Sequence, residues 1–160
     1  PRLALFENDG AGGLRPVDEL EFELEGGVRA LTAADVNLDG NLDAVASLEE
    51  ADRVEVALGN GQQGLVEGPT VAVDAPGVLR VRELDGDGLP DLVVAGARTV
   101  LVLAGLGGGS FDPEPLATID SGTRAAALLV FDFSGDGGDD LVLALPELNS
   151  VRLYRGEGDG

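Results

Sequence analysis

Asp35, Asn37, Asp39 and Asp43 put oxygen-bearing side chains at positions 1, 3, 5 and 9 of a loop whose sixth residue is Gly40. Alternate residues can turn their oxygens inward, the glycine permits a sharp turn, and the last carboxylate closes the shell. That is the chemistry of a hard cation such as Ca²⁺ held by oxygen ligands. The pattern returns at Glu83, Asp85, Asp87 and Asp91 around Gly88, and again at Asp132, Ser134, Asp136 and Asp140 around Gly137. The first positions, 35, 83 and 132, stand 48 and then 49 residues apart. Three matches at a constant interval make the pattern specific where one would not.

The loops open as EF-hands do, but an EF-hand needs a bidentate acid at position 12 and flanking helices. Position 12 is Ala46, Val94 or Leu143, and strand-like Val and Leu follow. The aspartate at position 9 is the expected closing ligand, so these are compact loops between adjacent strands of one sheet.

The elements that must position the loops are short strands. Leu3 to Phe6 runs into the glycine-rich stretch 8–14. Leu20, Phe22 and Leu24 then alternate with Glu19, Glu21, Glu23 and Glu25. Period two gives one buried and one wet face, and a charged strand discourages edge-to-edge association. Residues 29–34 lead into the first loop, 43–47 leave it, and 53–58 and 70–73 complete a first cycle. The second runs 79–82, 91–95, 99–104 and 116–119; the third runs 125–131, 140–145 and 151–154. The turns 59–65 and 105–111 are rich in glycine. A repeat of about 48 to 50 residues with four strands is the signature of propeller blades.

The repeats resemble the FG-GAP/VCBS family, the calcium-binding blades of integrin-α-like β-propellers. The resemblance rests on the nine-residue acidic loop, the strand Asp91 to Ala97, and a glycine-rich turn closed by a large apolar residue (Leu14, Leu65, Phe111). It implies an all-β fold of about three and a half four-stranded antiparallel sheets, an arc of a larger propeller. The chain is then a single segment, 1–160, with repeats at about 1–25, 26–75, 76–122 and 123–160. The resemblance also implies about three Ca²⁺ ions, each with an added backbone carbonyl ligand at position 7. Site one is Asp35, Asn37, Asp39, Asn41 (carbonyl) and Asp43. Site two is Glu83, Asp85, Asp87, Leu89 (carbonyl) and Asp91. Site three is Asp132, Ser134, Asp136, Gly138 (carbonyl) and Asp140. Glu83 departs from the usual aspartate, and its extra methylene must fold back or shift the ion. Ser134 is a weak ligand, which ranks site three lowest, although Asp139 beside it can compensate electrostatically. The alternative is a set of Asx turns that need no metal.

Composition narrows the function. The 160 residues carry 30 acids against 10 basic groups, a formal charge of −20, and every basic residue is arginine. That balance excludes nucleic acid and anionic membrane surfaces as partners. No apolar run of about 20 residues could insert in a bilayer. With no His, Lys or Cys, the chain lacks an imidazole base, an amine nucleophile and a thiolate, so no enzyme activity is expected. The family resemblance points to an extracellular or cell-surface module that binds a protein or glycan. Further blades of the same protein, or another copy, are the other partners expected. A structural or accessory propeller within a larger secreted enzyme, of the polysaccharide lyase or phospholipase type, is the alternative. The chain starts at Pro1 without a methionine, and it is expected to be a piece of a longer polypeptide.

Overall fold

Valine and leucine fill the centres of the four-residue and longer runs that follow each acidic loop, and the chain there is extended. Such runs are buried on both faces, which is why they read as continuous apolar stretches and not as alternating ones. In the run Asp91–Ala95 every residue is buried. A computed structural model describes residues 2–62 and 64–156, without the side chains of Leu5 and of 18–21. The expected alternation at Glu19, Leu20 and Glu21 therefore lies outside the described side chains. At Phe22 to Glu25 it is present: Leu24 is buried, Phe22 half-buried, and Glu23 and Glu25 exposed.

Among the described residues the strands form four main sheets in chain order and one short two-stranded hairpin. Sheet I pairs β1 (Arg2–Asn8) with β2 (Leu14–Glu23). Sheet II runs in the order β3 (Val28–Ala34), β4 (Asp43–Leu48), β5 (Arg53–Gly59), β6 (Leu65–Ala72). Sheet III is built from β7 (Leu79–Arg82), β8 (Asp91–Ala95) and β9 (Thr99–Leu103). A small hairpin, β10 (Gly105–Gly107) with β11 (Ser110–Phe111), precedes its outer strand β12 (Ala117–Asp120). Sheet IV is β13 (Ala127–Phe131), β14 (Asp140–Leu145) and β15 (Ser150–Tyr154). All pairings are antiparallel. Sheets of two, four, four and three strands are the blades of a β-propeller, as expected.

Two cores lie between successive sheets. Val45, Val54 and Val56 of sheet II pack against Leu79, Leu92, Val94 and Leu103 of sheet III. Val93, Ala95 and Val100, on the other face of sheet III, pack against Leu128, Leu141, Leu143 and Leu145 of sheet IV. A smaller cluster joins Leu3, Phe22 and Leu24 of sheet I to Ala46 and Leu48. Face-to-face stacking buries both faces of sheet III under mainly aliphatic side chains. Polar ties also link segments belonging to different sheets. Arg124 Nη2 lies 2.8 Å from Glu49 Oε1, and Arg82 Nε donates to Asp139 Oδ2 at 2.5 Å.

Several boundaries differ from expectation. β6 begins at Leu65, five residues earlier than expected, because its Gly68-Pro69 pair sits at a bulge opposite β5. Proline is tolerated there since β6 is an edge strand. Two single 3₁₀ turns, Glu49–Ala51 and Pro146–Leu148, were not expected; each ends on a left-handed residue, Asp52 and Asn149. Leu14, expected to close its turn, is exposed, whereas Phe111 is buried.

Candidate metal centres

Each acidic loop joins the edge strand of a sheet to its neighbour: β3 to β4, β7 to β8, β13 to β14. Each folds on the same hydrogen bonds, in which the loop's own amides donate to its carboxylates. In loop one, Asp35 accepts from the N–H of Asp39 at 3.1 Å and of Gly40 at 2.9 Å. Asn37 Oδ1 accepts from Asp39 N–H at 3.1 Å, and Asp39 Oδ1 from Asn41 N–H at 2.8 Å. In loop three, Asp132 accepts from Gly135, Asp136 and Gly137, at 2.6, 3.2 and 3.0 Å. Loop two is simpler. Glu83 Oε1 accepts from Gly86 N–H at 2.6 Å, Asp85 from Asp87 at 3.0 Å, and Asp87 from Leu89 at 2.6 Å.

Amides aimed at a carboxylate stabilise its charged form. Asp39 titrates below its ordinary value, chiefly through the Asn41 N–H and then the Asn37 side chain. Asp136 does the same, with the Gly138 N–H foremost. Asp91 goes the other way. Burial raises it, the N–H groups of Gly105 and Leu84 oppose that rise, and the charge of Asp85 adds to it.

The three loops are not alike in how their acids converge. One carboxylate oxygen from each of Glu83, Asp85 and Asp91 lies within 4.8 Å of the other two. Among the described residues this is the one place where three acidic side chains meet so closely. Asp87, the fourth acid expected in the set, lies outside that trio and is exposed. Glu83 thus brings an oxygen to the cluster with its longer side chain. The acids of loops one and three do not form such a trio; both oxygens of Asp35 and of Asp132 turn to backbone amides instead. Asp139 is ion-paired to Arg82 of the neighbouring sheet, so its charge is partly met there.

Position 9 carries a second, unexpected duty. Asp43, Asp91 and Asp140 are all buried. Asp43 accepts from Val36 N–H at 2.8 Å and from Gly59 N–H at 2.7 Å. Asp91 accepts from Leu84 and from Gly105, both at 2.8 Å. Asp140 accepts from Phe133 and Ser134 at 3.0 and 2.8 Å, and from Gly156 at 3.0 Å. One oxygen holds the start of the loop, and the other holds the glycine at the far end of the next strand. A Cβ on Gly59, Gly105 or Gly156 would run into the carbonyl oxygen of Leu42, Pro90 or Asp139. The aspartate and glycine therefore form a latch, repeated three times.

The donor set suits a hard cation. Every candidate ligand is an oxygen, and the chain holds no imidazole or thiolate that would favour zinc. Each latched aspartate oxygen accepts one or two N–H groups, and a carboxylate offers about four lone-pair sites, so the latch and a cation can share it.

Stacked antiparallel sheets, each carrying an acidic loop between its edge strand and the next, define a propeller-type blade repeat. Residues 84–143 match the family model described as FG-GAP-like repeat. The matched stretch spans most of the second loop, sheet III, and sheet IV as far as Leu143. No curated protein matches the chain.

Proposed function

We propose that this chain is a calcium-stabilised, extracellular β-propeller module whose role is to bind a protein or glycan and not to catalyse a reaction. The observation that carries the reading is the convergence of Glu83, Asp85 and Asp91 within 4.8 Å, the last two of them inside the stretch that matches an FG-GAP-like repeat and Glu83 immediately before it. Asp87 and the Leu89 carbonyl complete the ligand set by resemblance to the family. The equivalent sets are Asp35, Asn37, Asp39, Asn41 and Asp43, and Asp132, Ser134, Asp136, Gly138 and Asp140. A bound Ca²⁺ supplies positive charge that offsets the clustered carboxylates and cross-links two strand ends of one blade. Modules of this kind outside cells work at roughly 10⁻⁴ to 10⁻³ M calcium, which suits a secreted or surface location.

Binding to the folded state alone stabilises it by an amount set by free ion over dissociation constant, about 1.4 kcal/mol at ten times that constant. Asp39→Ala is therefore expected to lower the thermal midpoint more in calcium than in chelator, where only its hydrogen bonds from Asn41 and Asn37 are lost. An equal loss in both buffers would contradict a metal role for loop one. Ligand capture by the module is expected to vanish with the same chelator.

A further inference from the structure

The turns that join β1 to β2 and β5 to β6 are built alike. In the first, Asp9 N–H donates to the Gly13 carbonyl at 2.9 Å, and Asp9 Oδ1 accepts from the N–H groups of Ala11 and Gly13, both at 2.9 Å. In the second, Asn60 N–H donates to the Gly64 carbonyl at 2.9 Å, and Asn60 Oδ1 accepts from Gln62 and Gly64 at 2.8 and 2.9 Å. A glycine of positive φ follows in each, Gly10 at 76° and Gly61 at 69°. Both turns are exposed to water.

Two differences matter chemically. The first turn carries a carboxylate where the second carries a carboxamide. In the first, Asn8 Oδ1 also accepts the Gly10 N–H at 2.8 Å. The residue in that place in the second turn is Gly59, which has no side chain to hold the Gly61 N–H. Gly61 also lacks the Cβ that would hinder approach of its nitrogen to the Asn60 side chain. The two N–H groups on Asn60 Oδ1 draw charge from Cγ and stand where negative charge collects as a nucleophile adds there.

We propose that Asn60 is a site of spontaneous deamidation, with the Gly61 nitrogen as the nucleophile. That nitrogen gives its proton to solvent base and bonds to Cγ. The Cγ–Nδ2 bond breaks, Nδ2 takes a proton from water and leaves as ammonia, and a cyclic imide remains. Water then opens the imide at Cγ, giving isoaspartate or aspartate according to which carbonyl it attacks. Water is consumed, ammonia is released, and nothing is oxidised or reduced. The other four asparagines are followed by Asp9, Leu38, Leu42 and Ser150, whose side chains obstruct the same attack. At the Asp-Gly steps 9–10, 39–40, 85–86 and 136–137, the glycine N–H is held by Asn8, Asp35, Glu83 or Asp132. Asp9 is further protected because the Ala11 and Gly13 amides hold it below its ordinary value, in the unreactive charged form. A Cβ on Gly61 would lie 3.0 Å from Asn41 Oδ1, so the new carboxylate arises beside loop one.

This chemistry needs no cation, and every arm is run in chelator. The folded chain is incubated at physiological temperature from neutral to mildly alkaline pH and sampled by peptide mapping with mass spectrometry. The peptide holding Asn60 is expected to show the amide-to-acid mass change several-fold faster than those holding the other four asparagines, and faster as pH rises. Asp9→Asn puts a carboxamide into the held turn, where it should last several-fold longer than Asn60. Adding Asn8→Gly should remove that protection, with circular dichroism checking that both variants fold. Asn60→Asp keeps an acceptor for both amides, as Asp9 does, and should melt close to the unaltered chain. The isoaspartate product, whose backbone runs through the former side chain, should melt lower. An Asn60 that outlasts Asn149 overturns the proposal. Equal rates at Asn60 and in Asp9→Asn overturn the part given to the missing side chain at residue 59.

Discussion

Asp91 illustrates how one side chain serves both the fold and the candidate site. Its two oxygens accept N–H groups 7 and 14 residues away, and one also belongs to the acidic trio. Asp91→Asn replaces an acceptor with an amide that faces a donor, leaving a buried N–H unsatisfied at about 1–3 kcal/mol. We expect its thermal midpoint to fall by roughly 3–10 °C in chelator as well as in calcium. Asp85→Asn, which has no latch to break, should act in calcium only. Gly105→Ala should reproduce the chelator-independent loss, and the double variant should be no worse than the more severe single one, as expected of two residues in one interaction. Additive losses in thermal melts would separate the aspartate from the glycine. The acidic spacing was readable from residue types because ligands of a hard ion alternate locally. The latch was not, since its glycine becomes a neighbour only once the next strand pairs. The fourth loop position was also hidden. Gly86 and Gly135 adopt positive φ there, but so does Leu38 at 60°, a conformation that a leucine identity does not announce.

At the scale of the element, β7, β8 and β14 have the bounds expected from apolar runs flanked by acidic loops or glycine. Those flanks stop pairing abruptly, so composition alone marks the ends. β6 was misjudged because Gly68-Pro69 reads as a break, while the sheet accommodates it as an edge bulge. The 3₁₀ turns after β4 and β14 are too short for any periodicity to report. The strands are also held by the sheets stacked on them, and Leu143 is fully buried between sheets III and IV. Leu143→Ala removes this contact and leaves a cavity, at about 2–5 kcal/mol. Denaturant unfolding should show that loss with an unchanged slope. A change under 1 kcal/mol would mean that the two sheets do not share a core.

Over the whole molecule, a regular interval of acidic loops and a charge of −20 belong to one arrangement. The repeated blade carries its carboxylates between the edge strand and its neighbour, where aliphatic cores cannot neutralise them. That successive sheets carry an acidic loop at one interval was legible because the loops are periodic. Which loop gathers its acids most tightly was not, because that depends on how far each first-position side chain reaches. Glu83 meets Asp85 and Asp91, whereas Asp35 and Asp132 turn to their own amides. The most direct test is a calorimetric titration of the chelator-treated chain with Ca²⁺, read alongside its thermal midpoint. Saturable heat in the range of roughly 10⁻⁴ to 10⁻³ M, reduced in Asp85→Asn by the share of loop two and accompanied by a rise in melting temperature, is the predicted result. No binding heat and an unmoved midpoint at saturating calcium would contradict it.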